Sequence, residues 1–284
     1  MSENKIYLCA ISNIESGTCN EDCKFCTQSV KYKADIQRYR RKEIDDIVKE
    51  AIIARKNRAI GFCLVTAGTG LDDKRLDYVC RAASAIKKEL GDELSLIACN
   101  GIATLEQLKE LKKHGIENYN HNLETAQEFY NEICTTHPWE DRYQTCLNAK
   151  EAGLQLCTGG IFGLGETQEN RISMLKSIAS LEPMSVPINF FHPNEALPIV
   201  KNSISREEAF ELIKLSREYL PNQMIMIAGG RELMFKEQEY DVFKYGANAL
   251  VVGDYLTTAG KTAQEDIDAI EALGYTIALD CKSR

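Results

Sequence analysis

Cysteines at 19, 23 and 26 are the residues most clearly placed to do chemistry. They stand in Gly17-Thr18-Cys19-Asn20-Glu21-Asp22-Cys23-Lys24-Phe25-Cys26, a C-x3-C-x2-C spacing that follows an apolar segment at 6–11. Thiolates are the protein ligands that hold iron–sulfur clusters. Three on one tight loop can hold three irons of a four-iron cluster and leave the fourth open to a small molecule. A zinc site would want a fourth Cys or His at short spacing, and none lies between Cys26 and Cys63. Ordinary buried thiols are the remaining reading, although a polar, cysteine-dense loop suits a metal better than a core.

A second set is spread along the chain. Cys63, Cys99 and Cys157 each sit in an apolar run, in Gly-Phe-Cys-Leu, Ile-Ala-Cys-Asn and Gln-Leu-Cys-Thr. Any one alone reads as a core thiol. Asn120, Asn122 and Asn189 are amides in otherwise apolar runs, each with a donor and an acceptor. His121 lies between two of them, so strand alternation turns it away from whatever they face. His114, His137 and His192 show no ligand spacing and read as surface or capping residues. Cys9, Cys80, Cys134, Cys146 and Cys281 read as packing or surface thiols.

The elements that must position these groups alternate. Short apolar runs at 6–11, 61–67, 94–99, 118–123, 154–162, 185–191, 224–228 and 247–253 read as buried strands. Amphipathic stretches at 41–56, 73–89, 104–114, 142–152, 168–180 and 205–219 read as helices. Eight strands alternating with helices predict an α/β fold, a single-domain (β/α)8 TIM-type barrel over 1–284, with the cysteine loop at about 17–30. Functional groups in such barrels gather at the C-terminal ends of the strands. One cavity there would collect both cysteine sets and the amides.

Bulk properties narrow the class. The 284 residues are 44% apolar, enough for a sizeable core, and carry a net charge of −8, which favours neither nucleic acid nor an anionic membrane. No apolar run approaches a membrane span. The first residues lack a signal-peptide layout, so a cytoplasmic enzyme is the expectation. Eleven cysteines without a secretion signal point to metal or redox chemistry rather than disulfides.

The cysteine loop, with an aromatic before its last cysteine, resembles the radical S-adenosylmethionine enzymes. Tyr119-Asn120-His121-Asn122-Leu123-Glu124-Thr125, Gly159-Gly160-Ile161-Phe162-Gly163-Leu164-Gly165-Glu166 and Ser185-Val186-Pro187-Ile188-Asn189 narrow the resemblance to the biotin synthase family. It runs from about residue 5 to about residue 260.

That resemblance implies a [4Fe-4S] cluster on Cys19, Cys23 and Cys26, whose open iron chelates S-adenosylmethionine. It implies an auxiliary iron–sulfur cluster, [2Fe-2S] or a variant, on Cys63, Cys99 and Cys157. Phe25 and Ile161 would lie beside the adenine, Thr66 and Asn122 would contact the cosubstrate, and Glu124, where the family usually has Asp, would take the ribose. Asn120, Asn122 and Asn189 would hold the ureido ring of dethiobiotin, and Thr257 and Thr258 its carboxylate tail. Reductive cleavage would give a 5′-deoxyadenosyl radical that takes hydrogen from dethiobiotin, and auxiliary-cluster sulfur would then close biotin. A flavodoxin or ferredoxin donor and a homodimer are implied too.

One position departs from the family. The usual fourth ligand is an arginine five residues before the arginine of Gly-Gly-Arg-Glu. Here that arginine is Arg231, and five residues earlier stands Met226. A thioether is a weak neutral ligand without the guanidinium's charge or donors. Cys134 is a candidate substitute. Two other functions fit the same loop: another radical enzyme of this scaffold, such as a mutase or a cofactor-maturation enzyme, and a non-catalytic cluster carrier.

Overall fold

Residues Lys5–Glu15 form β1 of a closed parallel barrel in the computed structural model, which describes residues 4–201, 203–256 and 260–280. The other strands are β2 (Gly61–Thr66), β3 (Ser95–Cys99), β4 (Asn118–Asn120), β5 (Gln155–Cys157), β6 (Gly160–Phe162), β7 (Ser185–Phe190), β8 (Met224–Ile227), β9 (Ala249–Val251) and β10 (Thr276–Ile277). The helices are α1 (Ile44–Lys56), α2 (Asp73–Leu90), α3 (Leu105–Lys113), α4 (Tyr130–Ile133), α5 (Trp139–Glu151), α6 (Gln168–Ser180), α7 (Arg206–Tyr219), α8 (Arg231–Phe235) and α9 (Ala263–Ala272). All strand pairings are parallel, and β9 returns to β1 to close the ring. β5 and β6 share one place beside β7, and β10 extends the lower end of β1. The expected eight-place (β/α)8 barrel is therefore the fold.

The register sets which side chains share a level. Cys9 pairs with Gly61 and Gly61 with Ser95; Ile97 pairs with Asn118 and Asn118 with Gln155. Cys157 pairs with Ser185 and Ser185 with Met224; Met226 pairs with Ala249 and Ala249 with Tyr7. Three two-residue steps, and two more from Tyr7 back to Cys9, give a stagger of eight. Such a barrel stacks layers of side chains from alternate strands. With one residue of stagger per strand, Cys9, Ile97, Cys157 and Met226 fall in one layer.

Alternation along each strand separates two interiors. Outward residues such as Leu8, Phe62, Leu64 and Leu96 pack on helix residues including Ile47, Val79 and Leu108 in the main core. Inward residues form two small sets, Tyr7, Cys9, Met224, Met226, Ala249 and Val251 in one, Cys63, Val65 and Ile97 in the other. Helix starts are fixed locally: Thr104, Thr167 and Thr262 each close a capping box.

Two strands differ from the sequence expectation. β1 runs past the apolar segment at 6–11 through polar residues to Glu15. Tertiary partners make this tolerable: Arg75 Nη2 lies 2.8 Å from Glu15 Oε1, and Asn13 Nδ2 donates to the Leu256 carbonyl at 2.9 Å. The run at 154–162 is two strands broken at Thr158-Gly159. A Cβ on Gly159 would lie 1.8 Å from the Pro187 carbonyl oxygen. The backbones pass so closely there that only glycine fits. Helix α9 and the short α4 and α8 were not expected.

Candidate active site

A cavity of about 390 Å³ opens at the C-terminal ends of the strands. Its volume is in the range of small-molecule sites. Cys63, Cys99 and Cys157 line it, with Met226 on β8 and the amides Asn120, Asn122 and Asn189. Phe25, Glu124 and Ile161 line it too. The inward positions of the seven strands β2 to β8 thus bring together side chains as far apart in the chain as Cys63 and Met226, 163 residues. The hydrogen bond with the Cys99 sulfur, and then burial, hold the Cys63 thiol well above its ordinary range, and charge on Cys99, Cys157 and Cys9 would push it the same way.

The amides are not equivalent. Asn189 Oδ1 accepts from Gly229 N at 2.9 Å and its Nδ2 donates to the Gly160 carbonyl at 3.3 Å, so it braces β7 against β6 and the turn after β8. Asn122 Oδ1 accepts from Gly159 N at 3.1 Å. Asn120 Oδ1 is buried with no hydrogen-bond partner among the described residues, and so is Glu124 Oε2. Buried polar atoms are nearly always partnered, so two orphaned acceptors in one cavity mark a place for a ligand with donors. Glu124 adopts a left-handed φ of 68°, and its Oε1 lies 3.5 Å from Arg142 Nη1. Burial raises its pKa against the opposing pull of Arg142 and Asn122.

The cysteine loop packs beside this mouth. Cys19 pairs with Ser29 in an isolated bridge, with Cys19 N donating to the Gln28 carbonyl at 3.2 Å and Val30 N to the Cys19 carbonyl at 2.8 Å. Asp22 ties the loop to residues 135 and 136, accepting from Thr135 N at 2.9 Å, Thr136 N at 3.2 Å and Thr136 Oγ1 at 3.0 Å. Burial raises the Cys19 thiol and pushes Cys26 up to about 12. Ligation must therefore displace protons, which ties metal affinity to pH. A single zinc ion holds its sulfurs at ~2.3 Å, which requires them within about 4 Å of one another. Among the described residues, the only trio of ligand atoms all within 4.8 Å is Cys23, Cys134 and His137. The wider spread of Cys19, Cys23 and Cys26 fits a cluster rather than one ion.

Several sequence expectations are corrected. Cys134 cannot replace the missing arginine ligand, because it sits 3.6 Å from the Cys23 sulfur rather than in the barrel. Cys23 directs its S–H at Cys134, which raises Cys23 and lowers Cys134. His137 is no surface residue: it is buried, 3.5 Å from Cys134 Sγ, 2.6 Å from Glu21 Oε2 and 2.7 Å from the Tyr130 hydroxyl. Cys9 packs in the barrel interior as expected, and it also lines the cavity. Thr66 does not line it; next to inward Val65 it faces the other way, and its hydroxyl accepts from Asn100 Nδ2 at 3.1 Å. His121 is buried away from the cavity, as alternation requires, and exposed His192 lies on its rim. Glycines 159 and 160 serve strand packing: a Cβ on Gly160 would come 2.3 Å from Met174 Sδ and 2.9 Å from the Glu124 carbonyl oxygen. Arg142 and Asp22 were missed, for their roles depend on partners far away in sequence. Thr257, Thr258 and Cys281 lie outside the described residues.

Comparison with known proteins settles the family. The Radical SAM superfamily matches residues 14–178, and the Biotin and Thiamin Synthesis associated domain matches residues 187–276. The chain is 82% identical over 281 residues to the biotin synthase of Aliarcobacter butzleri, covering 99% of both. The chain belongs to the biotin synthase family. It is also 63% identical over 277 residues to the biotin synthase of Nitratiruptor sp., covering 98% of this chain and 99% of that one. Among solved structures it resembles methylornithine synthase, at 19% identity and TM-score 0.83 over 97% of this chain and 84% of that one. The FeFe-hydrogenase maturase HydG from Carboxydothermus hydrogenoformans gives 21% identity and TM-score 0.83 over 98% and 68%. At such identities these two show the shared barrel alone. Membership of the biotin synthase family implies a [4Fe-4S] cluster, S-adenosylmethionine and an auxiliary iron–sulfur cluster. The donor sets fit these groups: a loop of three thiols, a second trio inside the barrel, and two orphaned acceptors between them. Among the described residues, no helix is long and apolar enough to cross a membrane.

Proposed function

We propose that this protein inserts sulfur into dethiobiotin to form biotin, with Cys19, Cys23 and Cys26 holding the [4Fe-4S] cluster and Cys63, Cys99 and Cys157 the auxiliary one. The observation that carries the reading is the single cavity onto which Cys63, Cys99, Cys157, the amides and Phe25 of the cysteine loop all face. When bound, the first cluster and S-adenosylmethionine supply a hydrogen-abstracting radical and the auxiliary cluster supplies sulfur; the hard chemistry is the cofactors'.

The chain's own residues position and shield. Phe25 and Ile161 form an apolar slot for adenine. Glu124, held by Arg142 and with Oε2 unclaimed, accepts from ribose hydroxyls. Asn120 Oδ1 accepts from a ureido N–H of the substrate. Asn122 faces both ligands with its amide nitrogen, while its oxygen stays on Gly159 N. Asn189 is mainly a brace that keeps the mouth of the barrel in shape. Apolar residues such as Val65, Ile97, Pro187 and Val251 keep water from the reacting carbons. We further read the chain as one domain that works in the cytoplasm as a homodimer and draws electrons from a flavodoxin or ferredoxin; these points follow from the family resemblance.

The test is direct. Changing Cys19, Cys23 and Cys26 together to Ala should abolish dithionite-driven formation of 5′-deoxyadenosine from S-adenosylmethionine in anaerobic protein. Retained cleavage would overturn the assignment. Dethiobiotin should speed cleavage by the native enzyme; acceleration by a different small molecule instead would favour another radical enzyme on this scaffold.

A further inference from the structure

Three cysteines leave the auxiliary cluster one protein ligand short, and Met226 offers only a neutral thioether where a charged group would stand. Iron–sulfur clusters of both the two-iron and four-iron types are held by four thiolates when no other ligand is supplied. The barrel contains a fourth sulfur on the same cavity, that of Cys9.

Its position is fixed by the register. Cys9 shares its layer with Cys157 and Met226, and Cys63 lies half a layer higher on the adjacent strand. Cys9 pairs with Gly61, two residues below Cys63. Cys9 and Cys63 are thus diagonal neighbours on adjacent parallel strands, with α-carbons roughly 8 Å apart, as the strand spacing and a two-residue rise require, a span across which two cysteine side chains reach one cluster. Gly61 leaves the room this needs: a Cβ there would come 3.0 Å from Cys9 Sγ. On the other flank Cys9 packs among Met226, Ala249 and Val251. These three side chains are apolar, and the hydroxyl-bearing Tyr7 and Tyr255 belong to the same set.

We propose that Cys9 is the fourth protein ligand of the auxiliary cluster, which is then held by Cys9, Cys63, Cys99 and Cys157 with Met226 as an apolar wall. The proposal rests on the reading that the last three hold that cluster, and the test separates the two. Anaerobically reconstituted wild type, Cys9→Ala, Cys9→Ser and the Cys63, Cys99 and Cys157 triple Ala variant are compared by iron and sulfide content and by Mössbauer spectra. Cys9→Ala should lose at least half of the auxiliary iron and keep the first cluster and its response to S-adenosylmethionine. Cys9→Ser, nearly isosteric, should keep the fold and shift the auxiliary-site isomer shift or quadrupole splitting, because oxygen replaces sulfur on one iron. If the triple variant loses auxiliary iron while both Cys9 variants match wild type in content and spectrum, Cys9 is not a ligand. If the triple variant itself keeps full iron, the underlying assignment fails instead.

Discussion

Asp22 holds the cysteine loop in place without contributing a thiol to it. It lies between Cys19 and Cys23, and its carboxylate fastens that loop to Thr135 and Thr136. Hydrogen bonds to a charged acceptor contribute ~1.5–3 kcal/mol each when well made, less at a partly exposed site. Asp22→Ala should therefore lower the urea stability of the apo-protein by roughly 1 kcal/mol and reduce the iron recovered on the first cluster; unchanged stability and iron would count against this. The pH dependence has a definite sign. Burial pulls the Asp22 carboxyl up, but the bonds from Thr135 and Thr136 outweigh it and hold the group well below the usual carboxylate range. Its contribution is present above the unfolded value of about 3.9 and is lost as pH falls through the lower folded one. The stability gap between wild type and Asp22→Ala should thus stay level from pH 7 to pH 5 and close only below about pH 4. A gap that changes between pH 7 and 5 would contradict this.

At the scale of elements, the break between β5 and β6 puts the site's walls in place. The chain leaves β5 after Cys157, crosses under the Pro187 carbonyl at Gly159, and resumes as β6 with Ile161 on the cavity. The same glycine donates its N–H to Asn122, so backbone path and cavity-lining amide are set together. Overpacking a core costs ~1–3 kcal/mol, and a methyl 1.8 Å from a strand carbonyl cannot be relieved by a rotamer change. Gly159→Ala should cost at least the upper part of that range in urea unfolding of the apo-protein. A loss below about half a kcal/mol would show that the crossing is looser than described.

For the whole molecule, closure is secured on the far side of β9 by a buried charge cluster. Arg231 on α8 reaches Asp266 on α9 at 2.8 Å and Glu239 at 3.4 Å, and these three side chains are 1%, 0% and 2% exposed. Removing one member of a buried pair costs ~3–5 kcal/mol, because the remaining charges have no solvent. Arg231→Met should therefore destabilise the chain by about that amount, read as a drop in urea midpoint with no gain from added S-adenosylmethionine beyond that of wild type. Stability within 1 kcal/mol of wild type would sink the account. The arginine of the Gly-Gly-Arg-Glu stretch thus fastens the last helix to the barrel, and its Nε donates at 3.4 Å to the hydroxyl of Tyr255, which lines the cavity.

What the residues determine by themselves is local. The spacing of Cys19, Cys23 and Cys26 already specifies a three-thiol loop, and short apolar runs alternating with amphipathic stretches specify the order of strands and helices, because both depend on neighbours a few residues away. The fold class and most of the cavity's lining were legible on that basis. Cys9, Cys134 and His137 were not. Cys134 meets Cys23 across 111 residues of chain. The layer that unites Cys9, Cys157 and Met226 exists only once the sheet closes with its stagger of eight. Levels in a closed barrel are a property of the whole ring, and no single strand's pattern carries them.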